Sequence, residues 1–196
     1  MSLYLAQDAD ADALLDRDPF ALLLGMMLDQ QIPMEKAFAG PKLLAERMGA
    51  DRLEPADIAG HDPETFAKLF AGPPAIHRFP GAMAARAQSL ARVVAEQYGG
   101  DAAAIWNDAT SGEQLLKRLS ELPGFGAQKA RIFVALLGKQ RSVRPRGWRV
   151  AAGVYGEDGI YHSVADVTSE ESLQKVRSFK KEMKAAAKQA PRKSIR

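Results

Sequence analysis

The residues of this sequence best suited to chemistry are Leu122-Pro123-Gly124-Phe125-Gly126, a tight turn between two segments of helical periodicity. Pro123 fixes one backbone angle, and the two glycines permit positive φ and close approach by another chain. A helix starting at Ala127 then presents its first N–H groups outward with no side chain in the way, which suits a phosphate. Gln128, Lys129 and Arg131 stand beside that seat, the last two adding positive charge. Such a contact grips a nucleic-acid backbone without reading its sequence. A dinucleotide-binding loop fits poorly: the turn follows a helix rather than a strand, and Lys129 occupies the place of a third glycine. The bland alternative is a plain helix–helix turn with glycine caps.

Charge supports a polyanion-facing surface. Net charge is only +3, but from Leu115 to Val150 nine Lys/Arg face a single acid, Glu121. The last stretch is basic again, with Lys175, Arg177, Lys180, Lys181, Lys184, Lys188, Arg192, Lys193 and Arg196. A basic half on a nearly neutral chain suits nucleic acid, although a solvated helix face with a basic tail would look the same. The absence of cysteine excludes disulfides, thiolate zinc sites and a cysteine-ligated iron–sulfur cluster. No apolar run is long enough to span a bilayer, and Asp8, Asp10 and Asp12 stand where a secretory signal would need basic residues. A cytoplasmic, nucleoid-associated protein with no membrane partner is the expectation, as a monomer.

The elements that must position the turn read as helices, with no convincing alternation of strand residues. Asp18-Pro19 starts a helix whose run Phe20 to Leu28 is apolar nearly all round and must be central. Polarity returns abruptly at Asp29-Gln30-Gln31-Ile32-Pro33. Further helices are expected over Met34 to Met48, within Asp57 to Phe70, over Gly81 to Tyr98, and on both sides of the turn: Glu113 to Leu122 and Ala127 to Gln140. Residues 142–164 predict a small hairpin or an irregular loop around Asp158-Gly159. Thr168 or Ser169 should cap a last helix, with Glu171 completing a capping box, before a flexible basic tail from residue 187. An all-α fold of two helical lobes with a cleft between them follows, as one domain over residues 1–186.

The segment Leu119-Ser120-Glu121-Leu122-Pro123-Gly124-Phe125-Gly126-Ala127-Gln128-Lys129-Ala130 resembles the helix-hairpin-helix of the HhH-GPD superfamily of base-excision DNA repair glycosylases. Phe20 to Ala37, with Asp29-Gln30-Gln31, is similar to that superfamily's buried helix and following glutamine, especially in its alkyladenine-excising branch. Phe79 to Ala95, with Gly81, Arg86, Ala87 and Leu90, is similar to the helix before the hairpin. The resemblance covers roughly residues 18 to 140 and is nearest to an actinobacterial-type branch. It implies a protein that binds damaged double-stranded DNA, flips a nucleotide and fills the gap with a side chain. It places Gln31 at the DNA interface and Gln30 by the pocket, where helix-end solvation is the alternative. It also implies a monovalent cation, Na+ or K+, at the backbone carbonyls of Ser120, Leu122 and Phe125.

The sequence departs from the pattern in two places. Bifunctional members carry a Schiff-base lysine where Gln128 stands; Lys129 is one residue late, about 100° further round the helix. No lyase activity is therefore expected. The family's catalytic aspartate would fall on Arg146, which cannot stabilise a cationic sugar. Asp166, in Val164-Ala165-Asp166-Val167, resembles the family setting after an insertion and is the candidate carboxylate, with capping of the last helix as the alternative. Trp148, Tyr155 and Tyr161 could stack on a flipped base or cover the core, with Trp148 as the pocket candidate. His61, His77 and His162 lack metal-ligand spacing. The functional expectation is a monofunctional glycosylase for a damaged, alkylated base. Its rivals are a non-catalytic DNA-binding protein on the same scaffold and a helical module that binds RNA or a partner.

Overall fold

A computed structural model describes residues 2–189. Among them are eleven α-helices and no strand, apart from an isolated bridge between Ser111 and Arg146. The first group comprises α1 (Ala9–Arg17), α2 (Pro19–Leu28), α3 (Met34–Met48), α4 (Pro55–Gly60), α5 (Pro63–Ala71) and α6 (Pro80–Gln97). The second comprises α7 (Ala104–Asn107), α8 (Gly112–Ser120), α9 (Ala127–Gln140), α10 (Trp148–Ala152) and α11 (Glu170–Gln189). A single apolar core runs through both groups.

Helix α2 is the axle. Asp18 caps it, accepting from the N–H groups of Phe20 at 3.0 Å and Ala21 at 3.1 Å, while its other oxygen accepts from Leu53 N–H at 2.7 Å. Such a cap contributes about 1 kcal/mol. Every residue from Phe20 to Leu28 is buried, as an all-apolar sequence requires. Helix α3 packs so closely that a Cβ on Gly25 would sit 2.7 Å from the Phe38 ring.

The second group is organised by α9, whose apolar residues Phe133 to Leu137 are all buried. Trp148 lies flat against it at Gly138, where a Cβ would come within 2.3 Å of the indole. Residues 142–164 form neither a hairpin nor a featureless loop. They fold as α10 and a 3₁₀ turn, Gly153–Gly156, followed by a second turn at Val164–Asp166. The last helix is capped by Ser169, whose hydroxyl accepts from Ser172 N–H at 3.3 Å. The expected box with Glu171 does not form, because Glu171 pairs with Lys175 at 2.6 Å. A capping box occurs instead at Ser163 and Asp166. Helix α11 continues to Gln189, past the residue 187 where a tail was expected, and residues 190–196 of that tail lie outside the described residues.

Candidate nucleic-acid interface

The turn between α8 and α9 is a close-packed hairpin. Phe125 N–H donates to Leu122 O at 3.1 Å, and Gly124 has φ +85°. A Cβ on Gly124 would lie 2.6 Å from Met27 Cγ and 2.8 Å from Arg86 Cδ, so this glycine seats the hairpin on α2 and α6. Gly126 differs: its backbone is ordinary, and a Cβ there would meet nothing within 4 Å. No side chain caps α9 at Gly126, and the helix start is exposed. Its first N–H groups are therefore available to an external anion, with the positive end of the helix dipole behind them.

Beside the hairpin lies a seam where the two groups of helices meet. Met27 O, at the end of α2, accepts from Lys129 Nζ at 2.8 Å and from Gln30 Nε2 at 3.0 Å. Gln30 O in turn accepts from His77 Nε2 at 2.9 Å, while Phe79 N–H donates to His77 Nδ1 at 3.0 Å. This network assigns the proton of His77 to Nε2, and burial lowers the pKa of that ring. Lys129 is desolvated here; burial pulls its ammonium down to about 8, with Arg86 adding repulsion and Asp29 opposing.

Asp29 stands at the end of α2 and lines a cleft of about 610 Å³ between the α2–α3 connection and α11. Its carboxylate accepts no hydrogen bond among the described residues, so it is open to a ligand. Burial raises its pKa above the ordinary carboxylate range, Lys180 and Lys129 hold it down, and Glu35 adds to the rise. Gln31 forms part of the same cleft, is exposed, and has φ +58°. A non-glycine residue in that region carries about 1 kcal/mol of strain.

An HhH-GPD superfamily base excision DNA repair model matches residues 24–195. The chain belongs to that superfamily. No curated protein matches it, and no solved structure does. The family makes it a DNA-binding protein of base excision repair, and the hairpin of α8 and α9 is the family's namesake motif. No helix of the described residues is long and apolar enough to cross a membrane.

Within this HhH-GPD fold, the residues singled out in the sequence separate into three places. Gly126, Gln128 and Arg131 are exposed at the start of α9, with Pro123 and Gly124 half-buried beside them. Gln128 Nε2 donates to the Tyr155 hydroxyl at 2.8 Å. Gln30 and Lys129 belong to the seam, so Lys129 braces α2 rather than standing free for a phosphate. Phe125 faces inward, its ring 6.0 Å from that of Phe133, and only its backbone can meet DNA.

Asp166 lies at the other end of α9, together with Trp148, lining a cavity of about 290 Å³. One carboxylate oxygen accepts from Lys139 Nζ at 2.6 Å; the other accepts from the N–H groups of His162 at 2.9 Å and Ser163 at 3.1 Å. Lys139 is twelve residues along α9 from Ala127, about 18 Å at 1.5 Å per residue. Asp166 is thus engaged in a cap and an ion pair, remote from the hairpin, and Trp148 is buried against Gly138. Arg146 is exposed, and its carbonyl accepts from Gly112 N–H at 2.8 Å.

The group that sequence reasoning passed over is Asp29. Its signal was present: a lone acid directly after nine buried apolar residues cannot escape the place where that helix ends. Lys129 carries a testable consequence of the same burial. Its folded pKa is about 8 against an ordinary 10.5, so the native state binds fewer protons than the unfolded chain between those values. Native stability should therefore rise with pH across that window. Compared with Lys129→Met, wild type should gain up to about 3 kcal/mol between pH 7 and pH 10.5 in urea unfolding. A pH-independent difference would show that the amine is not desolvated.

Proposed function

We propose that this protein is a monofunctional DNA glycosylase that flips a damaged, alkylated base into the Asp29 cleft and hydrolyses its N-glycosidic bond. The observation that carries this reading is the open carboxylate of Asp29 in a cleft of base-accommodating size at the end of α2, the helix on which the hairpin is seated. The exposed start of α9 would hold a phosphate of double-stranded DNA, and Gln31 would enter the space left by the flipped nucleotide. An N-alkylated purine is cationic and leaves as a neutral base when its C1′–N bond breaks and the electron pair goes to nitrogen. Asp29 faces the cationic sugar that remains; water adds at C1′ and gives its proton to the carboxylate. A carboxylate with a raised pKa is a better proton acceptor for that last step.

The chemistry of the hairpin also fits a bound Na+ or K+. The carbonyls of Ser120 and Phe125 accept no hydrogen bond among the described residues, and Leu122 O keeps a second lone pair beyond its bond from Phe125. An ion held there would supply positive charge toward the phosphate. No step of the excision requires it.

The test is a panel of duplexes, each with one defined lesion, incubated with excess protein at the protein's working salt. A strand break appearing only after alkali, for at least one alkylated base, is the expected result. No break for any lesion would leave the rival reading, a non-catalytic DNA-binding protein on the glycosylase scaffold. Borohydride trapping of a covalent complex with abasic DNA would overturn the monofunctional reading and point to the Lys129 amine.

A further inference from the structure

Helix α11 has two halves of different character. In the first, Leu173 and Val176 are buried and Phe179 stacks on His162 at 4.0 Å between ring centroids, so the helix is fastened to the body. From Lys180 to Lys188 every residue is exposed, Met183 included. Tertiary burial does not explain why this second half is helical. The run Lys184-Ala185-Ala186-Ala187-Lys188 does so through intrinsic propensity, since alanine and lysine are among the strongest helix formers.

The exposed half is cationic on one side. Arg177, Lys180, Lys181, Lys184 and Lys188 share one side of α11, their spacing of three, four and seven residues putting most of them on one helical stripe. Arg177 is paired with Glu35 of α3 at 2.7 Å. The four lysines form no ion pair among the described residues. Arg177, Lys180 and Lys184 also belong to the wall of the cleft that holds Asp29 and Gln31. One stripe of positive charge therefore begins at the cleft and runs outward from it. Arg177 to Lys188 spans about 17 Å at 1.5 Å per residue.

We propose that this half of α11 is a second DNA-binding element, an arm whose lysines track the phosphates of one strand flanking the flipped nucleotide. The inference rests on the reading of the Asp29 cleft as a DNA site, and it adds a contact that the hairpin does not supply. About 17 Å of helix matches roughly five nucleotides of one strand at 3.4 Å each. The buried Leu173 and Val176 anchor the start of the arm, and the ion pair of Arg177 with Glu35 joins it to α3 at the cleft. The arm carries no base-reading chemistry, so it should add affinity and no sequence preference.

The experiment compares the full chain with a variant carrying K180Q, K181Q, K184Q and K188Q; glutamine keeps helix propensity, and circular dichroism verifies the fold. Binding to an undamaged duplex is measured by fluorescence anisotropy across a salt series. Each phosphate contact removed should make the slope of log K against log salt shallower by about 0.9, so two to four contacts give about 2–4 units. At low salt the variant should bind at least tenfold more weakly, with wild-type hairpin geometry intact. Shortening the duplex on one flank should cost wild type the same affinity and leave the variant unaffected. An unchanged slope in a variant that still folds overturns the arm while leaving the cleft reading in place. Failure of wild type to bind duplex at any salt overturns both, and lysine-dependent binding to anionic vesicles alone would do the same.

Discussion

Replacing Asp29 with asparagine is expected to slow single-turnover excision by about 10²–10³-fold, the range observed when one preorganised electrostatic group is removed. The substitution keeps the side chain's size, so the end of α2 and the seam at Met27 should be undisturbed. Duplex affinity should be unchanged or slightly tighter, because a negative charge has left a cleft whose remaining charged lining is Arg177, Lys180 and Lys184 against Glu35 alone. The pH profile separates this role from a merely structural one. Burial raises the Asp29 pKa, so the ionised form is lost on acidification sooner than for an ordinary carboxylate. Wild-type excision should fall on that acid limb, and the residual activity of Asp29→Asn should lack it. Unaltered excision by the variant would remove Asp29 from the reaction.

The second large effect is on stability. Asp166→Ala removes one partner of a pair in which Lys139 and Asp166 side chains are only 13% and 4% exposed, and it deletes the oxygen that accepts from two N–H groups as well. Orphaning a buried charge in this way costs roughly 3–5 kcal/mol, a large part of a marginal stability of about 5–15 kcal/mol. Thermal unfolding should move down by about 6–20 °C, at roughly 2–4 °C per kcal/mol for a chain of this size. Combining it with Lys139→Met should recover part of the loss, since the lysine then no longer needs a partner. Excision per folded molecule should survive at temperatures below the new transition. Abolished excision in folded Asp166→Asn would instead make this aspartate the catalytic group.

These two aspartates show what the sequence could and could not convey. Helix α9 was legible to its ends, because an apolar stripe between a glycine turn and a polar break has one good solution. Helix α3 was equally plain. The hairpin was legible as well, although Gly124 and Gly126 proved to serve different ends: one packs on Met27 and Arg86, the other leaves space open. Asp166 was chosen through a local match to a short motif. Its surroundings are non-local: Lys139 reaches it from 27 residues away, and residues 148–156 fold over α9 in between. Asp29 and Lys129 were visible as residues but not as neighbours, since they are a hundred positions apart and meet only through the seating of the hairpin on α2. Lys129 looked like a phosphate contact because a helix-start lysine usually points outward; here Met27 O draws it in. Trp148 lies against Gly138, whose missing side chain makes the slot the indole fills, while one edge lines the cavity that holds Asp166.

The cleft between the α2–α3 connection and α11 is expected to release a base from DNA. This is tested most directly by mass spectrometry of free bases liberated from methylated duplex DNA under excess protein, with the strands analysed before and after alkali. Methylated purines should appear in the soluble fraction at a rate that collapses in Asp29→Asn, with strands intact until alkali is added. Tight binding of the same duplex with no free base released would contradict it.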